Sequence, residues 1–193
     1  MRYTIEGADS RLSVAVYNES ATETVVIQHG MRDHGGSFDL LLSALSDFRV
    51  IIPDLRGHGR SDQNGVYTLS HFTADLLQVF DAFKVEQGFL LGHSLGGHIA
   101  ARFAALFAER VQGLILVDGF GPPRQGSALS AERLALMQAH QVRALQQSSP
   151  GRKNFANEDL AVTRYQANNP RLEASSAARL TKQGVRPAAE GGV

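Results

Sequence analysis

The stretch GFLLGHSLGGHIAARFAALF, residues 88–107, decides the fold. Its apolar opening, FLL, reads as a buried strand, and its Ala-rich close, HIAARFAALF, reads as a helix. Between them Gly92, His93, Ser94, Leu95 and Gly96 form a G-x-S-x-G pattern. With 19 glycines and 15 serines in 193 residues, chance supplies that pattern in roughly one such chain of seven. Context does the discriminating. A strand running straight in and a helix running straight out make a nucleophile elbow, a sharp strained turn that presents its serine. Gly92 and Gly96 remove the side chains that would collide there. The alternative is a serine that merely caps the helix.

Outward from the elbow, short aliphatic runs alternate with helical patterns. The strand candidates are Arg2–Glu6, Leu12–Tyr17, Thr24–Gln28, Phe48–Pro53, Gly88–Gly92 and Gly113–Val117. All but the first two are apolar on both faces, as strands covered by helices on each side must be. Asp39–Leu45 offers a short helix. A longer one follows Ser70 as N-cap, with Phe72, Leu76, Val79, Phe80 and Phe83 at helical spacing. This alternation predicts an open, mostly parallel, doubly wound α/β sheet. After VDGFGPPRQGS the character changes to polar and helical. SAERLALMQAHQVRALQQ, capped by Ser130, NEDLAVTRYQANNP and EASSAARLTKQG read as helices, with Gly184 a natural stop. VRPAAEGGV ends in no recognisable element.

Composition narrows the function classes. Nineteen basic and nineteen acidic residues cancel, and no basic run offers nucleic acid or an anionic membrane an electrostatic handle. The absence of cysteine excludes disulfides, a thiolate nucleophile and a Cys-type zinc site. The amino terminus has no apolar h-region and no stretch is long enough to cross a bilayer. A cytoplasmic protein is the default expectation.

A serine attacking a carbonyl places negative charge on its oxygen, so N–H donors must be aimed there beforehand. One is the backbone N–H of Leu95, at the start of the helix. The other is expected from the loop VVIQHGMRDHGG, where Gly30 allows a sharp turn and Met31 presents its N–H. His29 reads as a hydrogen-bonding residue of that turn rather than a base.

These residues resemble the α/β-hydrolase superfamily. HGMRDHGGSFDLLLSAL, FRVIIPDLRGHGRSD, LLGHSLGGHIAARFAALFAERV and LILVDGFGPP follow one another in that family's order and spacing. QANNPRLEASSAARLTKQGVRP looks like the helical cap of its serine-hydrolase-like, esterase branch. The resemblance implies hydrolysis of a small ester or similar acyl bond through an acyl-serine, without metal or organic cofactor. Relatives with aspartate at the elbow attack carbon by a carboxylate; Ser94 argues against epoxide hydrolase or dehalogenase chemistry. Cofactor-free oxygenation or perhydrolysis is the rival on the same scaffold. Asp54, Arg56, His58 and Asp62, in DLRGHGRSD, hold a tight turn.

The family's order is serine, acid, histidine. Asp118 stands where some relatives place the acid, with a turn-forming carboxylate as the alternative. Of seven histidines, only His98 and His140 follow at a useful distance, and neither lies in a loop after a late strand. The resemblance therefore implies an incomplete core over residues 1–120 and a partial cap over 121–193, ending before the last two core strands. Two expectations follow: very weak turnover, or a catalytically dead binding or assembly module, and self-association through the unpaired strand near Gly113.

Overall fold

The computed structural model describes residues 1–63, 66–119, 154–185, 187 and 191–193. Among these, six strands form one sheet in the order β1-β2-β4-β3-β5-β6. They are β1 Arg2–Glu6, β2 Arg11–Tyr17, β3 Thr24–Gln28, β4 Arg49–Pro53, β5 Gly88–His93 and β6 Val111–Val117. β4, β3, β5 and β6 run parallel. β1 and β2 form an antiparallel hairpin joined to β4. Parallel neighbours need crossovers, and the aliphatic runs of β4, β3 and β5 take the central places. The two-sided burial expected of Gly113–Val117 is not found, because β6 ends the described sheet; β2, next to β4, is instead buried on both faces.

Alternation along β3 shows how the faces are used. Val26 points into a cluster with Val14, Ile51 and Leu90. There it meets Leu76, Val79 and Phe80 of α1 (Leu69–Ala82), and Ile99 and Phe103 of α2 (Leu95–Leu106). Val25 and Ile27 point the other way, toward Phe38, Leu41, Leu42 and Leu45 of a 3₁₀ segment spanning Gly35–Leu45. Burying aliphatic side chains on both faces at roughly 25 cal/mol per Å² is the main stabilising term for such a sheet.

Several local expectations are corrected. Thr68, not Ser70, caps α1: its backbone is extended and its Oγ1 accepts the His71 N–H at 3.3 Å, leaving Ser70 inside the first turn. The helix expected over Asp39–Leu45 begins earlier, at Gly35, and is 3₁₀. The polar chain after residue 153 forms α3 (Glu158–Asn168) and α4 (Ala174–Gly184). Gly184 is the last helical residue of α4, with Val185 as C-cap, and is not a left-handed stop. VRPAAEGGV forms no helix or strand among its described residues, yet Val193 and Phe155 exchange two backbone hydrogen bonds, of 2.6 and 2.8 Å. The Gly-Pro-Pro boundary, the helix SAERLALMQAHQVRALQQ with Ser130, and His140 lie outside the described residues.

β6 is the last strand in the order among the described residues. Its Leu114, Ile115 and Val117 are 40–50% exposed. That is the apolar edge expected near Gly113.

Candidate active site

Ser94 joins β5 to α2 with φ 52° and ψ −116°. A non-glycine residue in that region costs on the order of 1–3 kcal/mol and persists only where its surroundings dictate it. Here they do. The Ser94 N–H donates to Val117 O at 2.9 Å, and its carbonyl accepts from Gly97 and His98 at 2.9 and 3.2 Å. A Cβ on Gly92 would overlap the Gly96 carbonyl, and one on Gly96 would overlap that of Gln28. One on Gly97 would sit 2.6 Å from the Gly119 Cα. The turn is thus wedged between β3 and β6 by backbone alone. Ser94 makes no side-chain cap bond to α2, so the helix-cap alternative does not hold. Its side chain is half-buried.

The Leu95 N–H is the first of α2, where the helix dipole favours an anion. The loop after β3 crosses directly in front: a Cβ on Gly30 would lie 3.3 Å from Ser94 Cβ and 3.1 Å from His93 Nδ1. Met31 follows, with its side chain 65% exposed. Among the described residues neither the Met31 nor the Leu95 N–H donates a hydrogen bond. The fold therefore brings Gly30, and with it the Met31 backbone, up to the elbow.

His29 is fully buried beneath this loop. Its Nε2 accepts the Leu55 N–H at 2.9 Å, so the neutral ring carries its proton on Nδ1 and donates to Gly30 O at 2.8 Å. Burial, above all, lowers its pKa from 6.5 to about 4. Both nitrogens are committed, and the ring is no base. His58 holds Arg56 O through Nδ1 at 2.9 Å, and His71 bonds Thr68. His98 is exposed on α2, one turn beyond the serine.

Asp118 directly follows the residue that binds the Ser94 N–H, in a left-handed conformation of φ 52°. Its carboxylate is exposed and bonds no described residue. Asp118 follows β6, the strand paired with β5, and no hydrogen bond joins its carboxylate to Ser94.

The DLRGHGRSD residues tie loops together. Asp54 accepts from Gly35, Arg60 and Arg2 at 2.7, 2.9 and 3.2 Å. Arg56, wholly buried, binds Asp75 with two hydrogen bonds of 2.6 and 2.8 Å. An open groove of about 320 Å³ lies between β1, Arg49 and the end of α1, away from the elbow. No group of three His, Asp or Glu among the described residues is placed to hold a metal. No helix among them is long and apolar enough to cross a membrane.

One contact set escaped sequence reasoning. His34 caps the 3₁₀ segment by accepting the Gly36 N–H on Nδ1 at 3.1 Å, and its ring packs on Gly184 of α4. The only sequence signal was the pair of glycines after it.

Residues 23–172 match the family model described as alpha/beta hydrolase fold. A serine hydrolase-like protein of Danio rerio is 33% identical over 110 residues, covering 55% of this chain and 34% of that protein. A putative 2-succinyl-6-hydroxy-2,4-cyclohexadiene-1-carboxylate synthase of Bacillus subtilis (strain 168) is 38% identical over 109 residues, covering 55% and 40%. The chain thus spans well under half the length of these two relatives. The thioesterase domain from the curacin biosynthetic pathway superposes with a TM-score of 0.81 at 23% identity, covering 99% of this chain and 68% of that one. That last likeness is one of fold.

Proposed function

The chain belongs to the alpha/beta hydrolase fold family, and from that premise we propose a serine hydrolase that acts on an ester or similar acyl bond. Ser94 is the nucleophile, and the N–H groups of Leu95 and Met31 are the oxyanion donors. The observation that carries this reading is the backbone of Ser94, held at φ 52° without capping its helix. Strain maintained by four close glycines serves to aim a side chain.

In the first half-reaction Ser94 Oγ bonds to the acyl carbon as its proton passes to a base, and the carbonyl oxygen becomes an oxyanion beneath the two N–H groups. Collapse expels the alcohol, which takes a proton. Water then attacks the acyl-serine, releases the acid and returns the proton to Ser94. Asp118 is the candidate acid of the triad, since it follows the strand that receives the Ser94 N–H.

A fluorophosphonate probe tests the nucleophile: mass spectrometry is expected to find the label on the peptide carrying Ser94 and not in Ser94→Ala. Equal labelling of both chains removes Ser94 from the mechanism.

A second reading, a binding module without turnover, is favoured by the histidines. Among the described residues no histidine hydrogen-bonds Ser94 Oγ, and His29 is locked. Loss of a triad member still leaves about 10³–10⁴-fold over water through the oxyanion hole and binding. The 193-residue chain is expected to cleave a p-nitrophenyl ester at that residual level only. Rapid turnover abolished by His98→Ala or His140→Ala would instead identify a base within the chain.

A further inference from the structure

On the reading that Met31 serves the oxyanion hole, we propose that His34 is a positioning residue: clasped between Gly36 and Gly184, it lets α4 set the 31–37 loop in front of Ser94.

The loop is pinned at both ends and exposed between. At its start His29 bridges Gly30 and Leu55. At its far end the Asp54 carboxylate holds the Gly35 N–H at 2.7 Å. Between them lie exposed Met31 and Arg32, the latter left-handed at φ 61°. No described side chain fixes the Met31 N–H directly, so its placement depends on how residues 33–36 are held.

His34 holds them. Its Nδ1 accepts the Gly36 N–H, and burial keeps the ring neutral and able to accept. On its other side a Cβ at Gly184 would stand 2.7 Å from Nε2 and 2.9 Å from Cδ2. A Cβ at Gly36 would stand 2.9 Å from His34 Cε1 and 2.8 Å from Gln183 Cβ. Ring, loop glycine and helix glycine interlock with no room for a methyl group. Helix α4 is tied to the same region by Arg179, 2.9 Å from Asp39. Helix α3 brings Tyr165 beside Ser37, which in turn bonds Asp33.

Gly184 supplies a test with opposite signs. Its φ is not left-handed, so the backbone accepts alanine, and helix propensity alone makes Gly184→Ala stabilising. Positioning through His34 requires the reverse at the loop: the new methyl meets the ring and displaces residues 31–36.

The measurement is hydrogen–deuterium exchange of the peptides covering 30–37 and 174–184, with the rate of Ser94 phosphonylation alongside. In Gly184→Ala the loop amides are expected to exchange roughly tenfold faster, and Ser94 to label roughly 10- to 100-fold more slowly. His34→Asn keeps a cap acceptor for Gly36 and removes the ring. The double variant His34→Asn/Gly184→Ala should therefore exchange more slowly in the loop than Gly184→Ala alone, a coupling between the sites. Unchanged loop exchange in Gly184→Ala, or strictly additive effects in the double variant, overturns the proposal. Exchange does not involve the serine. A wild-type chain that fails to label while showing the expected exchange would defeat the reading of Ser94 and leave the clasp standing.

Discussion

A left-handed Ser94 has an energetic signature that can be measured apart from chemistry. Glycine occupies φ 52°, ψ −116° without the penalty borne by a side chain. Ser94→Gly is therefore expected to stabilise the chain by roughly 1 kcal/mol, raising Tm by about 2–4 °C, while abolishing probe labelling. Calorimetry checks it, and an unchanged or lower Tm would mean the turn carries no strain. His29 makes a second prediction. Unfolded, its imidazole titrates near 6.5; folded, near 4. Between those values the unfolded chain binds more protons, so the contribution is full above pH 6.5 and is lost as pH falls toward 4. The loss from this group is about 3 kcal/mol. Urea unfolding at a series of pH values should show that decline, and His29→Gln should flatten it.

The elements differ in how local their causes are. Helix α1 begins where Thr68 takes an extended backbone and its hydroxyl accepts from His71. Thr68→Ala should cost about 1 kcal/mol, whereas Ser70→Ala, one residue into the helix, should cost close to nothing. Comparable losses from the two, read from urea midpoints, would return the cap to Ser70. Serine and threonine two positions apart are equal candidates by residue type, and the choice depends on which residue leaves the helix. The start of α2 is the contrary case. No polar side chain caps it, and its first turn is set by neighbouring backbone against Gly92, Gly96 and Gly97. The residue pattern reads as an elbow with a capping serine as the alternative, and the dihedral angles, with no side-chain cap bond, decide between them.

At the scale of the whole molecule the sheet of the described residues ends with the β1–β2 hairpin on one side and with β6 on the other. Leu114, Ile115 and Val117 lie exposed along that last strand, a template for further pairing. Expressed alone, the 193-residue chain is expected to sediment as oligomers, and Ile115→Lys to shift it toward monomer. A monomer at all concentrations would show that the edge is shielded. The boundaries of the strands were legible in the sequence to within two residues, because aliphatic runs and turn glycines are local signals, whereas their order in the sheet was not. The elbow was legible for the same reason: strand, glycines, serine and helix are contiguous from residue 88 to 107. His34 was not. Its significance lies in Gly36 beside it and Gly184 far along the chain, meeting its ring at distances that exclude a single methyl group. The order of elements along the chain follows from short-range preference. Which loop faces the serine, and what holds it there, follows from packing between remote residues, which the folded chain alone decides.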